Sequence, residues 1–150
     1  MKIRIAVETP AYSGSNAVMT ITAKDTQSGT SSITVNGTAQ TLTTSGTSKV
    51  ATYTVSSAGT YTIVATDAVG NSTTLTKTAY TITYNGNGAT SGSTANQIKI
   101  NGANIPLRAN GYAKTNYVFA GWNTAANGSG TSYAAGASYA GDGNVTLYAQ

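Results

Sequence analysis

Cysteine and histidine are both absent from the 150 residues, and acidic side chains number only four. Without cysteine there is no disulfide framework and no thiol chemistry. Without either residue type a zinc site lacks its usual ligands. A glycosidase needs two carboxylates at a set separation, and only Asp25 and Asp67 have any prospect of lying near each other. A serine or threonine nucleophile would need a lysine of lowered pKa beside it, and every lysine here lies in a polar or turn-like stretch. The inventory points away from catalysis, so neither a catalytic residue nor a cofactor is expected.

Charge is also scarce, at 8% of residues with a formal net charge of +4. Lys2, Arg4, Lys24, Lys49 and Lys77 stand against Glu8, Asp25 and Asp67 in residues 1–78; Lys99, Arg108 and Lys114 stand against Asp142 in 79–150. Such an even scatter is not the clustered basic stripe that phosphate binding requires, and no nucleic-acid partner is expected. No run is long and apolar enough to cross a membrane. "MKIRIAVETP" lacks the apolar centre of a secretory signal, which leads us to expect a fragment or mature piece with Met1 an added residue. The absence of cysteine fits an exported bacterial protein as well as a cytosolic one.

What the chain has in quantity is threonine (28), glycine (17), serine (15), asparagine (13) and tyrosine (10). Threonine and tyrosine suit the pleated, half-buried surface of a strand, while asparagine and glycine suit tight turns. An all-β protein built from many hairpins is expected. The stretch "KVATYTVSSAGTYTIVATDAVGNSTTLTKT" alternates strictly: Ala51, Tyr53 and Val55 share one face, and beyond the turn at 56–59 so do Tyr61, Ile63 and Ala65. Strands are also expected over 18–24, 32–35 and 38–42, the last two joined by Asn36-Gly37, a two-residue hairpin signal of type I′. About seven short strands with frequent turns read as a Greek-key sandwich.

Within this pattern, "AGTYTIVATD" resembles the late strand of an immunoglobulin-like domain, with Tyr61 where a tyrosine corner sits and Ile63 at the position of the second cysteine. "DTQSGTSSITVNGT" followed by "GTYTIVATDAVGNSTT" is similar to the bacterial immunoglobulin-like domains of cell-surface proteins, over residues 1–78. The resemblance implies that apolar contact between Ile21 and Ile63 replaces the disulfide. It also implies that Asp25 and Asp67, each four residues past one of those isoleucines, emerge at one end of the sandwich. Two readings of these carboxylates stand: a calcium site, or side chains that accept N–H bonds within their own turns. Two carboxylates fall short of a usual calcium loop.

No Pro- or Gly-rich linker separates the halves at Thr78, so a short and fairly stiff joint is expected. In the second half Tyr80, Ile82 and Tyr84 share a face ahead of "NGNG", and Ile98 and Ile100, then Ile105 and Leu107, flank Asn101-Gly102 as a further hairpin candidate. The stretch "YVFAGWNTAANGSGTSYAAG" holds the only Phe and the only Trp. Together "YTITYNGNG", "YVFAGWNT", "GSGTSYAAG" and "LYAQ" resemble the Listeria–Bacteroides repeat over 79–150, which implies a compact β-grasp-like fold in a multi-repeat bacterial surface protein. There are two departures. Asn116 replaces a usual glycine, a change that positive φ tolerates. The closing Trp of that pattern is missing after Gln150, which implies a trimmed piece with a weakened last strand.

Phe119 and Trp122 could be a sugar-stacking platform or the centre of a core. Buried together they would remove on the order of 400 Å² from water, about 10 kcal/mol gross, and a small unstapled domain has no other pair of comparable size. They stand three apart, so a strand alone would not turn them to one face; Gly121 between them predicts a bend or bulge. Ile21, Tyr61, Ile63, Phe119 and Trp122 are therefore expected in the core. Tyr112, Tyr133 and Tyr139 are the candidates for exposed ligand contact. The sequons at Asn36, Asn71, Asn127 and Asn144 are what an Asn- and Thr-rich chain yields by chance.

The expected function is a non-catalytic module pair of a bacterial surface protein, a stalk or adhesion scaffold, extracellular or secreted. Its expected partners are neighbouring repeats of the same polypeptide, with host or cell-wall glycan or protein as further candidates. The alternatives are a glycan- or wall-polymer-binding module using exposed tyrosines and the sparse cations, and a calcium-stiffened stalk.

Overall fold

The computed structural model describes residues 3–150; Met1 and Lys2, one of the cations counted above, lie outside the described residues. Among the described residues the structure is all β, with no helix. The chain separates into two compact units, Met1–Ala79 and Tyr80–Gln150, where the sequence places the boundary near Thr78.

In the first unit lie β1 (Arg4–Val7), β2 (Ala11–Ser13), β3 (Asn16–Lys24), β4 (Thr30–Val35), β5 (Thr38–Ala39), β6 (Thr43–Ser45), β7 (Ser48–Val55), β8 (Gly59–Asp67) and residues 72–79 of β9 (Ser72–Asn85). One sheet runs β1-β3-β7-β6, with β2 also pairing β3; the other runs β5-β4-β8-β9. If β1 and β2 count as one interrupted first strand, the lettering becomes A-B-E-D against C′-C-F-G, the immunoglobulin-like Greek key. The interruption falls at Pro10, which has no N–H to give a ladder and is tolerated at a sheet edge. The Asn36-Gly37 turn has both residues at positive φ, 49° and 80°, as a type I′ turn requires.

Alternation builds the core. Ala17, Met19, Ile21 and Ala23 of β3 are all buried, as are Ala51 and Val55 of β7, Ile33 and Val35 of β4, and Tyr61, Ile63 and Ala65 of β8. Ile21 lies opposite Ala51, and Val35 opposite Ile63. The Tyr61 hydroxyl donates to the Ser57 carbonyl at 2.8 Å, which pins the β7–β8 corner to the strand that follows it, the geometry of a tyrosine corner.

The second unit begins with residues 80–85 of β9 and continues with β10 (Ser91–Gly92), β11 (Gln97–Ile100), β12 (Ile105–Pro106), β13 (Tyr112–Ala113), β14 (Trp122–Asn123), β15 (Ser132–Tyr133), β16 (Ser138–Tyr139) and β17 (Val145–Ala149). The first and last strands lie side by side and parallel, with Ile82 opposite Val145 and Tyr84 opposite Leu147. β11 flanks β9, and β14 then β15 flank β17. The order β11-β9-β17-β14-β15 around a parallel centre is that of a β-grasp sheet. Two small ladders, β10 with β13 and β12 with β16, complete the unit.

Asn101-Gly102 does turn the chain, with Ala103 N–H donating to the Ile100 carbonyl at 3.1 Å, but no hairpin results. β11 pairs β9, whereas β12 pairs β16. Local turn chemistry sets the reversal; the partners are set by where apolar faces can be buried, and every residue of β11 is buried.

Candidate functional site

Trp122 stands at the centre of the second unit, fully buried. Tyr84, Phe119 and Tyr112 pack against its ring with centroids at 4.7, 5.0 and 6.3 Å, all tilted or edge-on, the arrangement that ring quadrupoles favour. Its Nε1–H donates to the Arg108 carbonyl at 2.9 Å, so the one polar atom of the indole is satisfied inside. Gly121 makes the placement possible. It sits at φ 147°, and a Cβ there would lie 2.9 Å from the Tyr133 carbonyl oxygen, so the backbone approach needs glycine.

The surrounding polar groups are equally committed. The Tyr84 hydroxyl donates to Gln97 Oε1 and accepts from Arg108 N–H at 2.9 Å; burial pushes its pKa up. Gln97 in turn donates to the Pro106 carbonyl at 3.1 Å. Asn123, next to the tryptophan and fully buried, holds the 123–132 loop. Its Oδ1 accepts from Ala125 and Gly130 N–H, and its Nδ2 donates to Gly128 O, Gly130 O and Ser132 Oγ.

Phe119 departs from the sequence expectation. It is half-buried: its ring packs edge-on with Trp122, and it also lines a groove of about 400 Å³. Tyr112, Lys114, Tyr117, Val118, Asn87, Asn110 and Gln150 are among its other lining residues. Tyr117 and Val118 are 70% and 90% exposed, and Lys114 Nζ sits 4.8 Å from the Tyr117 ring centroid, a cation–π contact.

Of the three tyrosines expected to contact a ligand, only Tyr112 lines this groove. It is half-buried, its hydroxyl donating to the Tyr84 carbonyl at 2.8 Å. Tyr139 is a correction. It is 7% exposed, packs edge-on against Tyr133 at 5.4 Å and has its pKa raised by burial, because the β12–β16 ladder turns it inward. Tyr133 is half-buried in that pair. The most exposed aromatic, Tyr117, was not singled out from sequence, since alternation says nothing about a residue outside a strand.

In the first unit the turns of Asp25 and Asp67 do lie together, with Ala68 N–H donating to the Gly29 carbonyl at 3.1 Å. Each carboxylate is occupied mainly within its own turn, and the Ser28 side chain also acts on Asp67. Asp25 accepts from the Ser28 hydroxyl at 2.6 Å and from Gln27 and Ser28 N–H. Asp67 accepts from the Asn71 amide and from Val69 and Asn71 N–H. The Ser28 hydroxyl and the Asn71 side chain, respectively, are the largest causes holding their pKa values below the ordinary 3.8. No group of three or more metal-ligating side chains occurs among the described residues.

The settings inferred for the lysines fail at one position. Lys99 is wholly buried, its Nζ donating to Asp142 Oδ1 at 2.6 Å. Gly102 N–H donates to both oxygens of the same carboxylate. The lysine bond, then the Gly102 N–H, holds the Asp142 pKa below 3.8. In "QIKI" the alternation puts Lys99 opposite two isoleucines, on a face that reads as solvent; here that face is covered too.

Fold and site thus define an all-β, sandwich-like first unit and a second unit with β-grasp strand order centred on one tryptophan. Residues 80–150 match the family model described as the Listeria-Bacteroides repeat domain, a repeat module that occurs in bacterial surface proteins. No curated protein and no solved structure matches the chain. Among the described residues no helix is long and apolar enough to cross a membrane.

Proposed function

We propose that the chain is a pair of non-catalytic modules of a bacterial surface protein, an immunoglobulin-like unit followed by a Listeria–Bacteroides repeat, acting outside the cell as a stalk or adhesion scaffold. The observation that carries this reading is the enclosure of Trp122. The only indole is taken up by the fold, and the buried polar side chains of the same unit, Asn123, Gln97 and Lys99, are taken up as well. The strand order of the first unit and the Tyr61–Ser57 bond support its immunoglobulin-like assignment. Neighbouring repeats of the same polypeptide are the natural partners of such modules.

Pulling the chain from its two ends tests this role. A load-bearing pair extends in two discrete steps on the order of 250 Å each; gradual yielding at low force would speak against it. The competing reading, a glycan- or wall-polymer-binding module, draws on the groove beside Tyr112, Tyr117 and Lys114. A glycan array and a wall pulldown discriminate. Saturable retention that survives raised salt and disappears in Tyr117→Ala would overturn the scaffold reading.

A further inference from the structure

Six asparagines of the chain are followed directly by glycine: Asn36, Asn85, Asn87, Asn101, Asn110 and Asn127. Such a pair has a chemistry of its own. The glycine nitrogen, with no Cβ crowding it, attacks the carbonyl carbon of the asparagine side chain and closes a five-membered imide. A side-chain bond that must open before the ring closes slows this step, by up to about tenfold for a bond of ordinary net strength.

Five of the six amides carry such bonds. Asn36 Oδ1 accepts from Thr62 N–H at 2.8 Å, and Asn85 Oδ1 from Asn87 N–H at 2.8 Å. Asn87 Nδ2 donates to the Ala126 and Ala149 carbonyls at 2.7 and 2.9 Å. Asn110 uses both ends of its amide on the Tyr112 backbone, and Asn127 Oδ1 accepts from the N–H and hydroxyl of Ser129. Asn101 differs. It is exposed, and among the described residues its amide has one contact, Nδ2 to the Tyr80 hydroxyl at 3.5 Å, the limit of a hydrogen bond.

The nitrogen that would attack Asn101 is also distinctive. Gly102 N–H donates to both oxygens of Asp142, at 3.1 and 3.2 Å, so a proton acceptor already sits on the nucleophile. Lys99 keeps that acceptor ionised. The site is uncrowded, since a Cβ built on Gly102 would meet nothing within 4 Å.

We propose that Asn101-Gly102 is a spontaneous modification site, at which Asn101 becomes aspartate or isoaspartate with Asp142 accepting the proton of the attacking nitrogen. The Gly102 nitrogen bonds to Asn101 Cγ, and its proton passes to the Asp142 carboxylate. The Cγ–Nδ2 bond then breaks, and ammonia leaves with that proton. Water opens the imide at either carbonyl. The product adds a negative charge one residue from the Gly102–Asp142 contact, and the site is independent of any stalk role.

Peptide mapping by mass spectrometry of the whole chain, aged in mildly alkaline buffer with and without urea, tests the assignment. In urea the six pairs should react at similar rates. In the folded chain the peptide carrying Asn101 should turn acidic first, about tenfold ahead of the other five. Asn101 keeping pace with them, or lagging, would overturn the proposal. Two variants test the part of Asp142, both read at a temperature where the β11 amides stay protected from exchange. Lys99→Met, which releases the carboxylate from its ion pair, should speed the reaction at Asn101, and Asp142→Asn should slow it. General loosening would speed both, and that result, or no change in either, would take Asp142 out of the step.

Discussion

The two units solve one problem differently. The first buries small aliphatic residues at every second position of long strands: Ala, Met, Ile and Val on β3, β4, β7 and β8. Backbone ladders run through its long strands, and its two buried carboxylates are held mainly by their own turns, with the Ser28 hydroxyl of the Asp25 turn also acting on Asp67. The second has several strands of just two residues, so its ladders are short. It relies instead on a ring cluster around Trp122 and on buried polar side chains, Gln97, Lys99 and Asn123, that bond to backbone. When regular pairing is short, a few large side chains carry what strand period carries elsewhere.

The largest expected effect follows from that contrast. Trp122→Ala should cost about 3–5 kcal/mol, comparable to the whole stability of a small domain, and hydrogen exchange at Ile82 and Leu147 should lose protection. Ile63→Ala should cost about 2–4 kcal/mol, because neighbouring aliphatic side chains in the sandwich share the load. Equal losses at both sites would erase the difference between the units.

Next comes the buried ion pair. Asp142→Asn leaves the Lys99 ammonium enclosed without a counter-charge and should cost about 3 kcal/mol, whereas Lys99→Met should be close to neutral. Denaturant midpoints of the two variants check this asymmetry; similar losses would mean that the charge of Lys99 is not what makes Asp142 necessary.

A smaller effect comes from acid. The folded pKa values of Asp25, Asp67 and Asp142 all lie below 3.8. Their contributions are therefore complete above that value and lost as pH falls through the lower folded values. Stability measured from pH 6 downward should stay level to about pH 4 and then decline, less steeply for the second unit in Asp142→Asn.

Tyr61→Phe deletes the corner bond to Ser57 and should cost about 1 kcal/mol. Smallest of all, the melting temperature should not respond to calcium or to a chelator, since each turn carboxylate is filled by its own loop.

Much of the first unit could be read in the sequence. Alternation over 51–55 and 61–65, the Asn36-Gly37 turn and the corner tyrosine are all local signals, expressed within a few residues. The second unit was legible through Trp122, by size and energetics, and through Asn116, which does take positive φ at 65°. Three features were not. The partition of β11 and β12 between different ladders, the inward turn of Tyr139, and the pairing of Lys99 with Asp142 across 43 residues all depend on which segments meet. Strands of two residues carry no period from which to read that. Phe119 lies between the two cases: its contact with Trp122 followed from spacing and Gly121, but its half-buried place in the groove wall did not.

Because the chain has one tryptophan, its fluorescence reports the central claim directly. The expected result is a short-wavelength emission that acrylamide barely quenches until the second unit unfolds, unaltered by added saccharides. Ready quenching in the native state, or a saturable change on adding a glycan, would contradict the assignment of Trp122 to the core.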